Sequence, residues 1–332
     1  MPDVYTTSAS TNYVQTAYDR LAYPALRPEL YYDALADVQP TEQSMPGLTV
    51  SFQLQTDLAV ASSALNESSD VSAVAIGSST ATVTLAEYGS AVISTAALRA
   101  GAFVDIDEVI ANVIGYNAGV SIDSVARSVL EGNTNVNYSA GTTGVVPTSK
   151  ATVTTADTFR GYDARVAQKT LRVANVPTVN GKYWSIIHPE VSFDFQAETG
   201  IDGWLAPSVY GTDQSRIYNG EIGEFAGIRF IETPRAPEYS NAGSSSSSGV
   251  YNVFGTFFGG VQAFAKAYSS VDGNGPNPQI VPGPVTDHLR RFVPIGWYHF
   301  VGYGFLRQAS LLQVMSSSSI QTLVTPGSID TA

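Results

Sequence analysis

Asp105-Ile-Asp-Glu-Val-Ile-Ala-Asn-Val-Ile-Gly-Tyr-Asn-Ala-Gly-Val-Ser-Ile-Asp-Ser-Val-Ala-Arg-Ser-Val-Leu-Glu-Gly132 is the best helix candidate in the chain. Asp105 and Asp107 are carboxylates where a helix N-terminus favours them, and Ile106, Val109, Ile110 and Val113 follow at helical spacing. The period resumes after Gly115 and Gly119 with Ile122, Val125, Ala126 and Val129, and Gly132 suits the C′ position. A continuous helix here would span ~40 Å at ~1.5 Å per residue. Gly115 and Gly119 have GxxxG spacing, which leaves a kink, a break into two helices or a close backbone contact as readings.

Upstream, Thr49 to Gln55 alternates cleanly, with Val50, Phe52 and Leu54 on one face and Ser51, Gln53 and Gln55 on the other. A second alternating stretch, Thr80 to Glu87, sets Val83 and Leu85 against Thr82 and Thr84. The small-residue segment from Asp57 to Thr80 joins them and far exceeds the ~2 to 5 residues of an ordinary hairpin connection. Two strands alone are marginal in water, so such a hairpin needs a surface to lie on. Residues 1 to 48 carry six tyrosines (Tyr5, Tyr13, Tyr18, Tyr23, Tyr31, Tyr32) without helical or strand period. They read as an extended arm whose rings rest on the chain's own body or on a neighbouring copy.

Downstream, 133 to 155 is rich in Thr, Asn, Ser and Gly and reads as a linker or exposed connection. Asp157 is expected to open a second helix with Phe159, Tyr162, Val166 and Val173 on one face, ending at Asn175 and Pro177. Tyr183 to Ile187 reads as a buried strand, Pro189 and Glu190 as the start of a short helix, and Gly220 to Glu232 as a turn-rich hairpin. Asn241 to Gly249 is a serine-rich surface loop, after which strand-like sequence resumes at Val250. Ile295 to Met315 has the character of one or two long strands, with Trp297, Val301 and Phe305 available for burial.

The 332 residues are 44% hydrophobic and only 14% charged, against ~25% in an average domain, which describes a folded chain. Its length suggests one large or two modest domains at ~150 residues each. A net charge of −12 offers no basic face for gripping phosphate nonspecifically. The absence of cysteine excludes disulfides, thiol catalysis and thiolate metal sites. The first 30 residues lack the basic start and apolar run of a secretory signal, and no run approaches the ~18 apolar residues of a spanning helix.

Chemistry-bearing motifs are scarce. His188, His288 and His299 form no close ligand pair, and GxSxG, GxGxxG and GxxxxGK[ST] are absent. Asp105, Asp107 and Glu108 could form a metal or acid-base cluster, but a helix start explains them more simply. Asp272-Gly-Asn-Gly275 lacks the terminal Glu of a calcium loop and reads as a turn. Asn66-Glu-Ser68 and Asn137-Tyr-Ser139 match the glycosylation sequon by chance in a chain without a signal.

Four pieces, in order, resemble the major capsid protein of tailed bacteriophages, the Hong Kong 97-type shell fold. They are Thr84-Leu-Ala-Glu-Tyr-Gly-Ser-Ala-Val-Ile-Ser-Thr95 leading into the long helix, and Tyr218 to Pro237 (YNGEIGEFAGIRFIETPRAP). Then come Val250-Tyr-Asn-Val-Phe-Gly255 with Gly259 to Ala267, and Asp287-His-Leu-Arg-Arg-Phe-Val-Pro-Ile-Gly-Trp-Tyr-His-Phe300. The resemblance implies an α+β capsid fold with an N-terminal arm (1–48), an extended β-hairpin loop (49–95) and a peripheral domain with a spine helix (96–155). An axial domain (156–285) and a return to the peripheral sheet (286–332) complete it.

It further implies a structural, non-enzymatic subunit of an icosahedral shell around double-stranded DNA, located in the virion and assembled in the host cytoplasm. Implied partners are the chain itself as hexamers and pentamers, a separate scaffolding protein, a portal and a decoration protein. No cofactor, no specific nucleic-acid binding and no membrane are expected. Some shells of this fold weld subunits through a lysine of the extended loop, but the lysines here are Lys150, Lys169, Lys182 and Lys266, so assembly is expected to be noncovalent. No long charged helical prefix of a fused scaffold is present. Low charge suits flanks that are mostly interface. Arg20 and Arg27 in the arm, and Glu67, Ser68 and Asp70 near the loop tip, are the candidate assembly residues, being charged or polar groups in otherwise uncharged projecting segments. Alternatives are another virion or encapsulating-shell component, or a carbohydrate-active hydrolase built on paired carboxylates. An outer-membrane barrel fits neither the missing signal nor the long helix.

Overall fold

The computed structural model describes residues 30–38, 48–102 except 63, 65, 66, 69 and 72, 106–198, 221–268 except 247 and 248, 276–283, 287, 289 and 291–320. Most of the expected arm, Asp105, Asn66, His288 and the Asp272–Gly275 turn lie outside the described residues. In chain order the first strands are β1 (Asp37–Val38), β2 (Thr49–Gln55), β3 (Ser78–Thr84) and β4 (Ala86–Thr95), followed by helices α1 (Ala96–Gly101) and α2 (Ile106–Glu131). Next come β5 (Val136–Tyr138), α3 (Gly161–Val173), β6 (Tyr183–Ile187), α4 (Pro189–Ala197), β7 (Glu221–Phe225) and β8 (Ile228–Glu232). The remaining strands are β9 (Glu238–Tyr239), β10 (Ser245–Ser246), β11 (Gly249–Val250), β12 (Val253–Gly259), β13 (Phe264–Tyr268), β14 (Gln279–Pro282), β15 (Phe292–Phe305) and β16 (Leu311–Ser316), with a 3-10 turn at Gln308–Ser310.

The described residues divide into two compact units, a smaller one within Gly89–Ala118 and Pro278–Tyr298 and a larger one within Pro28–Tyr88, Gly119–Asn277 and His299–Ala332. The core of the larger unit is a mixed sheet in the order β5-β16-β12-β6-β8-β7, with β9 beside β12. Strand β12 reads Val-Phe-Gly-Thr-Phe-Phe-Gly and is buried throughout, as a strand covered on both faces should be. On one face Leu171 of α3, Phe195 of α4 and Phe159, just ahead of α3, pack onto Phe225, Phe230, Phe254 and Phe258. Phe195 lies 5.2 Å from Phe159, edge to face, and 5.2 Å from Phe230. Such contacts each add ~0.5–1.5 kcal/mol beyond area burial.

Expectation and structure part at α3. The helix opens at Gly161 rather than Asp157, because Asp163 reaches back to the Arg160 amide at 3.0 Å and Glu198 accepts the Gly161 amide at 2.6 Å. Asp157 instead holds the preceding turn, accepting the Thr154 amide at 2.8 Å. The buried helical face is Ala164, Ala167 and Leu171, while Tyr162 and Val173 are exposed. Two alanines and one leucine fit under the helix where bulkier side chains would hold it off the crowded phenylalanines.

The stretch 133–155 is also more ordered than a linker. It contains β5 and a 3-10 turn at Lys150–Thr152, and Asn133, Ser139 and Val153 are buried. Asparagine side chains satisfy backbone groups of the neighbouring strand, as Asn135 Nδ2 donates to Leu311 O of β16 at 3.0 Å. A polar composition therefore marks hydrogen-bonded packing here.

The β2–β3 hairpin pairs from Thr49↔Thr84 to Gln55↔Ser78, and Thr56 N donates to Gly77 O at 2.9 Å beyond it. Val50, Phe52, Val83 and Leu85 are buried against Ala265, Ala267 and Leu306. In the β13–β15 ladder, Ala265 faces Gly304 and Ala267 faces Gly302, so the surface under the hairpin is nearly free of side chains. Helix α2 runs unbroken, and the Gly119 position is a close approach: a Cβ there would lie 2.7 Å from Leu30 Cδ1.

In the smaller unit β14 pairs antiparallel with β15 from Gln279↔Tyr298 to Pro282↔Ile295, and β4 also pairs with β15. Trp297 is buried and its Nε1 donates to Asn117 Oδ1 on α2 at 2.9 Å. Thr95 caps α1 by accepting the Leu98 amide at 3.2 Å.

Candidate functional site

Beyond its seated base, the hairpin leaves apolar residues in the open. Between Gln55 and Ser78 the described residues form neither helix nor strand, and Leu58, Val60, Val71, Val74 and Ile76 are exposed, Val60 to 89%. Apolar side chains exposed together in one segment are the pattern a partner surface would show. Glu67 and Ser68 sit in a turn of this segment and Asp70 follows, all exposed. Asp70 Oδ1 accepts the Val71 amide at 2.8 Å, an Asx-type contact that shapes the chain locally. Arg20 and Arg27 lie outside the described residues.

The part of the arm that is described, 30–38, is tied to the larger unit's own body. Tyr32 is fully buried, its ring edge-on to Phe257 at 6.4 Å, and its amide donates to Asp123 Oδ1 at 2.8 Å. The other Asp123 oxygen takes Arg235 Nε at 3.1 Å, and Arg235 Nη2 donates to Ser124 Oγ at 2.7 Å. Burial, with the Asp123 and Glu131 charges nearby, pushes the Tyr32 hydroxyl far above the usual phenol range, so it stays neutral. One residue on, Asp33 receives Lys266 Nζ at 2.7 Å and the Tyr303 hydroxyl, which burial and the Asp33 charge also hold protonated. Asp37 accepts the Gln262 amide at 2.9 Å, and β1 runs parallel to β13.

Tyr32 is one of the arm tyrosines expected from the sequence to rest on a surface, here the chain's own body; its partners and the other anchors were not named from the sequence, although two carried a signal. Asp123 interrupts the apolar period of α2, and Lys266 shares a strand face with Phe264 and Tyr268. A charge on an apolar face needs a buried partner.

Among the described residues no group of three or more His, Cys, Asp or Glu is placed to hold a metal ion, and no helix is long and apolar enough to cross a membrane. His188 caps α4, accepting the Glu190 amide at 3.3 Å, and stacks on Phe254 at 4.8 Å. His299 is fully buried in β15 with neither ring nitrogen hydrogen-bonded. Burial lowers the pKa of each to about 4, assisted at His299 by the Lys266 charge. Both are therefore neutral packing groups at pH 7.

Comparison with known proteins gives this geometry a context. The profile of a family described as phage capsid protein matches residues 8–310. Among solved structures the chain is similar to the capsid of Ralstonia phage GP4, with a TM-score of 0.72 at 15% identity over 94% of this chain and 97% of that one. It is similar to the Cyanophage Pam1 capsid asymmetric unit, with a TM-score of 0.71 at 13% identity over 97% and 100% of the two chains. The head structure of Helicobacter pylori bacteriophage KHP40 follows, with a TM-score of 0.67 at 12% identity over 95% and 98%. At such identities the likeness is one of fold, and the mixed helix and strand architecture agrees with the expected α+β class. No curated protein matches the chain.

Proposed function

The chain belongs to the phage capsid protein family, a structural protein of the phage shell, and we propose that it builds an icosahedral container for double-stranded DNA by noncovalent association as hexamers and pentamers. The observation that carries the reading is the hairpin: its base is seated flush on the chain's own sheet while its apolar far end, Leu58 to Ile76, is exposed. That end lies over a neighbouring copy, where Glu67, Ser68 and Asp70 meet specific polar groups, and Arg20 and Arg27 of the arm do the same. Many modest contacts summed by multivalency then make a stable shell.

In this reading 1–48 is the arm, 49–95 the extended loop, 96–155 the peripheral part with α2 as spine, 156–285 the axial part and 286–332 the return. The subunit catalyses nothing. Lysine placement supports noncovalent assembly: Lys266 is committed to Asp33, Lys182 to Glu224, and Lys150 lies 3.4 Å over the Tyr239 ring, leaving no lysine in the hairpin. The net charge of −12 leaves packaged DNA free to move. A separate scaffolding protein, a portal and a decoration protein complete the particle, which assembles in the host cytoplasm.

Expressing the chain alone and with its genomic neighbours, followed by sedimentation and negative-stain imaging, tests the reading. Closed shells are expected with a scaffolding partner. A persistent monomer under both conditions overturns it, and a ladder of linked subunits on denaturing gels overturns the noncovalent part.

A further inference from the structure

Helix α3 presents a second unpartnered surface, separate from the hairpin and within the larger unit. Its first turn and the segment around β5 enclose a groove of about 260 Å³, lined by Tyr138, Val146, Tyr162 and Val166 with Asp163 among them. The rim is apolar and open: Val146 and Tyr162 are each 58% exposed, and Val145 beside them 70%. Nothing in the fold of the single chain requires these side chains to face water.

Asp163 gives the groove its chemistry. The residue is 9% exposed, and one carboxylate oxygen, Oδ2, takes the Ser139 hydroxyl at 2.7 Å and the Arg160 amide at 3.0 Å. The other oxygen, Oδ1, has no donor among the described residues. Arg160, the nearest cation, is committed to Glu198 Oε1 at 2.9 Å, so these two charges offset each other and the Asp163 charge is left over. Burial pushes the Asp163 carboxyl above its usual range, as expected of a carboxylate short of partners. An anionic oxygen under an apolar rim fits a cation on an aliphatic stem, whose methylenes cover Tyr162 and Val166 while the head reaches the carboxylate.

The same helix carries such groups on its outer side. Lys169 and Arg172 lie one to two turns beyond the groove, both exposed, and neither forms an ion pair within the described chain. Groove and basic pair are different patches of one surface. A contact joining them between copies is heterologous, and heterologous contacts whose rotation closes form rings.

We propose that the Asp163 groove of one subunit receives Lys169 or Arg172 of a second copy, forming a head-to-tail contact that repeats around a ring. The inference rests on the reading that the chain assembles with itself, and names where and by what chemistry.

The cysteine-free sequence allows a direct test. Copies carrying Val146→Cys are co-assembled with copies carrying Arg172→Cys and treated with a short bismaleimide. A cross-linked dimer is expected from the mixture and from neither variant alone. In parallel, the exposed double change Lys169→Glu with Arg172→Glu is expected to lower the yield of assembled particles at least tenfold while the monomer's melting temperature is unchanged. An absent dimer band in shells that form normally, or an undiminished yield from the charge-reversed chain, overturns the contact and leaves the capsid reading standing. Wild-type chain that never assembles overturns both.

Discussion

Gly302 stands so close to Thr84 that a Cβ built on the glycine would lie 2.3 Å from the Thr84 carbonyl oxygen. Gly304 is similar, with Val83 Cγ2 at 2.7 Å. Together with Ala265 and Ala267 these glycines make a strip with nothing larger than a methyl group, on which the hairpin lies flush instead of standing off the sheet. The hairpin's anchorage is thus a property of the surface beneath it as much as of its own alternating pattern.

Replacing Gly302 with alanine should therefore lift the hairpin. Backbone is the obstacle and cannot rotate aside, so a cost of ~1–3 kcal/mol is expected, as for overpacking in a core. Gly115, where an added Cβ meets nothing within 4 Å, is the control. Its change to alanine should be neutral or stabilise by up to ~1 kcal/mol through helix propensity. Thermal unfolding of both variants checks the pair, and equal destabilisation would contradict the geometry.

The Asp33–Lys266 tie predicts an asymmetry. The Lys266 side chain is 4% exposed and that of Asp33 35%. Asp33→Asn leaves a buried ammonium without its counter-charge and should cost ~1–3 kcal/mol, below the ~3–5 of a fully buried pair because water reaches Asp33. Lys266→Met removes the charge with its solvation cost, keeps the stem's packing and should cost less. Hydrogen exchange across 30–38 reports the release directly: fast exchange in Asp33→Asn and near-parental exchange in Lys266→Met is the expected order.

What could be read from sequence followed the range of the interactions. Thr49–Gln55 and Tyr183–Ile187 were placed to the residue, because alternation and β-branched burial are local signals. Helix α2 was legible from its period, but its continuity through Gly115 and Gly119 was not, since Leu30 fills the approach at Gly119 from far along the chain. The buried face of α3 was misassigned because alanine is a weak hydrophobic signal, and only the crowded phenylalanines beneath make it the residue that fits. The arm's anchors are long-range, Tyr32 and Asp123 being 91 positions apart and Asp33 and Lys266 233, and no window of sequence shows such a pair. The long segment between Leu58 and Ile76 was visible as a small-residue stretch, but neither its exposed apolar side chains nor the fact that only the hairpin's base is covered was read from it.

Stability should fall with acid through His188 and His299. Each has a folded pKa of about 4 against an ordinary ~6.5, so the unfolded chain binds the proton first as pH falls. Their contribution is complete above pH ~6.5 and is lost progressively down to about 4, with a slope of up to ~1.4 kcal/mol per pH unit for each histidine. Asp163 and Glu190, pushed upward by burial, act in the opposite sense, so the informative quantity is the difference between variant and parent. His299→Leu keeps an apolar filling and should flatten the pH dependence between 6.5 and 4. Denaturant midpoints measured across that window provide the check, and an unchanged slope would show that His299 does not take up a proton on unfolding.

The exposed hairpin end separates folding from assembly. Val60 and Val74 are open to water, so charging either should leave the isolated subunit's stability within ~0.5 kcal/mol of the parent. Under the proposed assembly the same positions are buried against a neighbour, where an unpaired carboxylate has no compensating partner and excludes close packing. Val60→Asp and Val74→Asp chains should therefore melt like the parent as monomers yet fail to sediment as particles under conditions where the parent assembles. Val50→Asp, placed in the seated base among Phe52 and Val83, should instead unfold the hairpin before any question of assembly arises. Normal shells from both tip variants would mean that the exposed end meets no neighbour, and would remove the observation on which the placement of the hairpin rests.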